Sequence, residues 1–152
     1  MTNEYFGGLD FGSSGARISI IDKSKEIIYE DSCIYSYEFK NTEGWINSCI
    51  KLFEGIPIQI KINLSRLSIS GTSGTLVPCS SNGTPLGNSI PYYEVCTSNP
   101  EKLNLIAGAD KFLNNPYSSL AKAIKLIDIY GDDIILRHQA DWISGWFLND
   151  WS

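Results

Sequence analysis

The sequence predicts an α/β fold with its strands first and its helices later. Three observations carry that expectation. The first thirty residues hold three short apolar segments separated only by turns. An apolar period of 3.6 residues sets in after Thr42, and a second one follows Pro116. The chain has 152 residues and is 43% hydrophobic, enough to bury a core, which excludes wholesale disorder. Its 13 glycines and 6 prolines are ordinary usage and exclude a collagen-like chain.

Tyr5 to Asp10 is short and apolar and reads as the first strand. Ala16 to Ile21 alternates and is rich in isoleucine, and Glu26 to Glu30 carries Ile27, Ile28 and Tyr29. Gly12-Ser13-Ser14-Gly15 and Asp22-Lys23-Ser24-Lys25 are turn-sized connections, so these strands form an antiparallel meander. Trp45, Cys49, Leu52 and Phe53 then share one face of a helix from about residue 43 to 54. Thr42 is its expected N-cap, and Gly55 with Pro57 stops it. Ile58, Ile60 and Ile62 alternate with polar residues, as a strand or the connection into one. Leu67 to Ser70 is expected to be a buried strand and Leu76 to Cys79 another, with a turn at Ser81-Asn82-Gly83.

Tyr117, Leu120, Ile124 and Ile127 place a helix after Pro116, ended by Gly131. Asp132 and Asp133 are expected to cap a last helix. That helix has Ala140, Ile143 and Phe147 on one side and Trp142 and Trp146 on another, so neighbours should bury more than one face. No internal repeat and no flexible linker divides the chain.

The net charge of −5 and the scattered basic residues argue against a nucleic-acid binder, because phosphate contacts need clustered Lys and Arg. No segment approaches the roughly 18 to 20 apolar residues that span a bilayer, so no membrane is expected. Met1 to Phe6 lacks the basic start and apolar run of a secretory signal, and a cytoplasmic location is expected. Cys33, Cys49, Cys79 and Cys96 are spread out with no CxxC pair, as suits free thiols rather than zinc ligands or a disulfide scaffold. His138 is expected to be a packed or capping residue.

Three stretches hold residues suited to chemistry. Asp10-Phe11-Gly12-Ser13-Ser14-Gly15-Ala16-Arg17 sets a carboxylate at a strand end, then a small-residue turn, then an arginine on the return strand. Small residues let backbone N–H groups approach a phosphate, and an aspartate can hold Mg²⁺. Taken alone, the turn equally suits an ordinary hairpin with a capping Asp. Ser70-Gly71-Thr72-Ser73-Gly74-Thr75 follows a strand, where α/β folds gather ligands. Its short hydroxyls suit a polyol, or an ordinary polar turn. Asn82-Gly83-Thr84-Pro85-Leu86 leads to Tyr92-Tyr93-Glu94, an aromatic pair beside a carboxylate that suits a sugar platform or plain packing.

In this order, the three stretches resemble the FGGY family of carbohydrate kinases. Asp10 to Arg17 is similar to that family's phosphate hairpin, D-x-G-T-x-x-x-R, with Ser13 keeping the hydroxyl of the threonine. Ser70 to Thr75 resembles the loop of the ribulokinase- and xylulokinase-like branch, and Asn82 to Leu86 the N/D-G-x-P-L turn. Ser118 to Lys122 and His138 to Ile143 resemble later helices of the same domain. The sequence departs from the family where Tyr92-Tyr93-Glu94-Val95-Cys96 stands for Tyr-Asn-Asp-x-Arg, and where Ser80 stands for a common aspartate.

The resemblance implies an actin-like (ribonuclease H-like) fold, with residues 1–152 as an incomplete N-terminal, sugar-binding domain. It implies ATP and Mg²⁺ as cofactors, or none bound by this part alone. Asp10 would serve near the metal and the transferring phosphoryl. Gly12, Ser13, Ser14, Gly15 and Arg17 would bind the cofactor, with Ser13, Ser14 and Gly15 facing its phosphates or the reacting end of the sugar, and Thr72, Ser73, Gly74, Tyr92 and Glu94 would face the sugar. The reaction implied is phosphorylation of a ketose such as D-ribulose or D-xylulose. The general base and nucleotide domain of the family lie beyond the matched region, so this part is expected to be inactive alone. The partners implied are a pentulose and either a complementary kinase fragment or a second copy of the chain. The alternatives are a non-catalytic sugar- or phosphate-binding or subunit module, and a degenerate remnant.

Overall fold

A computed structural model describes residues 4–151. They form two compact units, one ending at Gly71 and the other starting at Thr72.

The first unit is a mixed four-stranded sheet with one helix on it. β1 (Tyr5–Phe11), β2 (Gly15–Ile21) and β3 (Ile27–Ile34) form the expected antiparallel meander. β4 (Leu64–Gly71) returns beside β1 and parallel to it, giving the order β3-β2-β1-β4. Alternation decides which face is covered. Leu9, Phe11, Ala16, Ile18, Ile20 and Cys33 are buried, and α1 (Thr42–Gly55) packs there through Trp45, Cys49 and Leu52. The other face carries Asp10, Arg17, Glu30 and Ser68, none of them buried.

Two expectations for this unit are corrected and one left open is decided. The cap of α1 is Asn41, whose side chain accepts from Glu43 N–H at 2.8 Å, rather than Thr42, which is already helical. The alternating isoleucines, open between a strand and the connection into one, are the connection: Ile58 and Ile60 lie in a short helix, α2 (Ile58–Lys61), that leads into β4, with Pro57 at its N-cap accepting from Ile60 N–H at 2.9 Å. β4 has no buried residue, since its serines alternate with half-covered Leu67 and Ile69.

The second unit pairs β5 (Leu76–Cys79) with β6 (Ile135–His138) in antiparallel fashion. Around them lie α3 (Pro100–Ala107), α4 (Ser119–Tyr130) and α5 (Gln139–Leu148). Leu76, Ile90, Cys96, Leu103, Ala121, Ile124 and Leu126 form one apolar core. Three more expectations change here. Of the face expected on α4, only Ile124 is fully buried, with Ala121, Lys122 and Leu126 in place of the others. Asp132 and Asp133 cap no helix, because β6 intervenes. His138 occupies the N-cap position of α5 but makes no side-chain cap bond and is exposed. Trp142 is buried and donates to Gly83 O at 3.0 Å, while Trp146 and Phe147 are half-covered. Trp151 lies against Gly83 and Gly145, where a Cβ on either glycine would meet its ring.

All four cysteines are buried thiols. Among the described residues, no helix is long and apolar enough to cross a membrane.

Candidate functional site

The candidate residues fall into two groups, one in each unit. In the first, Asp10 stands near the end of β1. The ladders place it opposite Arg17 on β2 and opposite Ser70 on β4. Arg17 Nε lies 3.2 Å from Asp10 Oδ2. The turn between them is held from one side. Gly12 N–H donates to Gly15 O at 2.9 Å, Tyr35 Oη donates to Gly12 O at 2.8 Å, and Tyr35 N–H donates to Ser14 O at 3.2 Å. These bonds use the carbonyls of Gly12, Ser14 and Gly15 and leave Ser13 and Ser14 exposed. A turn with most of its acceptors occupied and its hydroxyls outward is suited to an anion.

Gly15 is required by a close approach: a Cβ there would run into the Cys33 carbonyl of β3. An open hollow of about 830 Å³ adjoins the turn, lined in part by Gly12, Ser14, Gly15, Arg17, Glu30 and Ser32. Asp10 offers Mg²⁺ a hard oxygen. Among the described residues, however, no group of three or more His, Cys, Asp or Glu gathers to hold a metal. Mg²⁺ keeps several waters and usually takes one or two carboxylates together with substrate phosphates. The donor set therefore fits Mg²⁺ brought by a nucleotide rather than a free-standing ion.

In the second unit, Thr72 to Thr75 forms a tight loop leading into β5. Gly74 has φ +74°, a left-handed conformation that favours glycine. Thr72 turns its hydroxyl inward, toward Gln139 and Thr75, whereas Ser73 is exposed. Tyr92 and Tyr93 are exposed and meet edge to face, with ring centroids 5.1 Å apart. Glu94 is paired with Lys125 at 2.9 Å, a contact that holds the Lys125 pKa above its usual value.

Two residues of this region escaped the sequence reading. Lys122 and Gln139 have no exposure at all. Lys122 Nζ donates to Tyr92 O at 3.3 Å and also to Tyr117 O. Burial lowers its pKa. Gln139 Oε1 accepts from both Thr72 N–H and the Thr72 hydroxyl, each at 2.8 Å. A lysine and a glutamine among apolar helix residues were the available signal, but on a helix such residues ordinarily face water.

No family model matches the chain. Solved structures do resemble it. A glycerol kinase from Plasmodium falciparum, solved with ADP, superposes with a TM-score of 0.69 at 14% identity, over 94% of this chain and 34% of its own. A xylulose kinase from Rhodospirillum rubrum gives 0.71 at 13% identity, over 94% and 34%. The xylulose kinase from Bifidobacterium adolescentis gives 0.63 at 12% identity, over 95% and 34%. The chain spans about a third of the length of these kinases. It has the actin-like α/β fold of the FGGY-type carbohydrate kinases, over that third of their length.

Proposed function

We propose that the chain is the sugar-side part of an ATP-dependent carbohydrate kinase whose acceptor is a ketose such as D-ribulose or D-xylulose. The observation that carries this is the pairing of Asp10 with Ser70 at the ends of parallel strands within a sugar-kinase fold. It sets the anion-suited hairpin beside the strand that leads into the hydroxyl loop, and α/β folds gather ligands at such strand ends. In this reading Asp10 holds Mg²⁺ carried by ATP, which supplies the phosphoryl group. Ser13, Ser14, Gly15 and Arg17 steady its phosphates. Ser73, Thr72 and Gly74 with Tyr92 present the sugar, and Glu94 lends charge nearby.

Phosphoryl transfer is chiefly positioning and charge stabilisation between two substrates. The base on the sugar hydroxyl and the adenine-binding surface come from polypeptide beyond these 152 residues, as further chain or as a separate subunit. The test has two arms. Calorimetric titration with D-ribulose and D-xylulose at millimolar concentration should show binding, and no heat from either sugar would sink the reading. A coupled ATP-turnover assay of the chain by itself should stay at background, and robust turnover would overturn the assignment of the base.

A second reading, a non-catalytic sugar-binding module, is favoured by one observation. The carboxylates of the two candidate groups are each paired with a cation, Asp10 with Arg17 and Glu94 with Lys125. Sugar binding that persists when the chain is combined with the remainder of a kinase, with no gain of turnover, would decide for this reading.

A further inference from the structure

Lys122 and Gln139 sit on different helices, α4 and α5, yet one continuous line of hydrogen bonds joins them. Gln139 Oε1 accepts the Thr72 N–H and the Thr72 hydroxyl proton. Having given its proton to Gln139, the Thr72 oxygen accepts from the Thr75 hydroxyl at 2.7 Å. Thr75 Oγ1 in turn accepts from Tyr92 N–H at 3.2 Å. Tyr92 O accepts from Lys122 Nζ, which also donates to Tyr117 O. Thr75, like Lys122 and Gln139, is completely buried.

The donor order along this line is forced at every step. A primary amide oxygen only accepts, an ammonium only donates, and a hydroxyl has a single proton to give. Burying a lysine and a glutamine is costly unless they are hydrogen-bonded, and apolar side chains of similar size often stabilise a core at least as well. What these two residues add is position. Apart from Tyr117 O, their partners belong to two segments, the Thr72–Thr75 loop and the Tyr92 segment, and those same segments expose Ser73 and Tyr92.

We propose that Gln139 and Lys122 are positioning residues that hold the Thr72–Thr75 loop and the Tyr92 segment from behind, so that Ser73 and Tyr92 meet the sugar in fixed geometry. The sugar-facing role rests on the function proposed above. The buried line of bonds stands without it.

The test combines backbone amide exchange, followed by NMR, with D-xylulose titration of the same chain. In the wild type, the Thr72 and Tyr92 amides should exchange at least about 100-fold more slowly than the exposed Ser73 amide. Gln139→Leu removes the acceptor. It should speed Thr72 exchange about 10-fold or more, speed Tyr92 as well because the threonine hydroxyls are then free to turn, and weaken D-xylulose about 10-fold. Gln139 Nε2 has no hydrogen-bond partner among the described residues, and the contact with Thr72 is carried by Oε1. Gln139→Glu, neutral or ionised, keeps an acceptor oxygen there and should restore both readouts to within about threefold of wild type.

Lys122→Met should speed Tyr92 exchange and weaken the sugar in the same way, which keeps the proposal open to test if Gln139→Leu fails to fold. Unchanged exchange at Thr72 and Tyr92 in Gln139→Leu would overturn the proposal. So would faster exchange with wild-type sugar affinity, since position would then not matter. Sugar binding absent from the wild type, alongside the expected exchange pattern, would instead overturn the proposed function and with it the sugar-facing role, leaving the buried bonds themselves in place.

Discussion

Asp10 and Arg17 are direct partners across the β1–β2 ladder, and Arg17 Nε lies 3.2 Å from Asp10 Oδ2. Their side chains are 49% and 72% exposed, so water screens the pair and its contribution to stability is small, about 0–1 kcal/mol. Asp10→Asn should therefore leave Tm within about 2 °C, while removing the metal-facing carboxylate of the proposed kinase. In a reconstituted enzyme the loss should appear as reduced turnover at saturating Mg²⁺. A collapse of Tm would show that Asp10 is structural.

The hairpin makes a sharper demand at Gly15, where an added methyl would meet backbone rather than a movable side chain. Gly15→Ala should cost about 1–3 kcal/mol through overpacking and a forced shift of β3. Chemical denaturation checks this. A wild-type midpoint would mean that β2 and β3 do not pair in the register Gly15 with Ile34.

Capping separates two neighbouring residues at the start of α1. Asn41→Ala should lose about 1 kcal/mol, the usual value of a side-chain N-cap. Thr42→Ala should lose no more than about 0.5 kcal/mol, as a residue already inside the first turn. The reverse order in thermal melts would restore Thr42 as the cap.

Burial pushes the Cys49 thiol up to about 12 and the Cys79 thiol up to about 11. At pH 8 neither should react with a thiol reagent in the folded chain, and both should react after unfolding. The same shifts act on stability. An unfolded thiol loses its proton near 9, whereas these two hold theirs to about 11 and 12 when folded. Between those limits the unfolded chain binds fewer protons and is favoured as pH rises. Stability from this source is complete below pH 9 and is lost on the way to about 12. Lys122, with its pKa lowered by burial, works in the opposite direction. The decisive measurement is therefore a difference: Cys49→Ala should flatten the alkaline decline, and an unchanged slope would contradict the shift.

Legibility followed periodicity. The meander was readable because β1 and β2 bury alternate residues, and α1 because Trp45, Cys49 and Leu52 keep a helical spacing. The isoleucines at 58, 60 and 62 left strand and connection undecided, because a period of two over so few residues also fits a helical turn whose side chains are not buried. α3 buries only Leu103 and Ala107, which is too thin a stripe to notice, although Asn99 caps it and Pro100 opens it. β6 has four residues and no fully buried one, so nothing in its pattern separated it from the helix that follows.

Among the candidate residues, the hairpin was legible because its chemistry is local: carboxylate, turn and arginine lie within eight positions. The pairing of Asp10 with Ser70 was not, since it depends on β4 returning parallel to β1. Lys122 and Gln139 were hidden for a related reason. The partners that tie them to the loop and the Tyr92 segment lie 30 and 67 residues away in sequence, and a lone polar residue on a helix carries no mark of being buried.

The one-way order of donors running from Lys122 to Gln139 also limits what the loop has left to offer. Thr72 and Thr75 have committed their hydroxyl protons inward, which makes Ser73 the loop's one outward hydroxyl. In the proposed kinase, two epimers that differ at a single carbon should therefore be told apart by whether their own oxygen falls within reach of that serine.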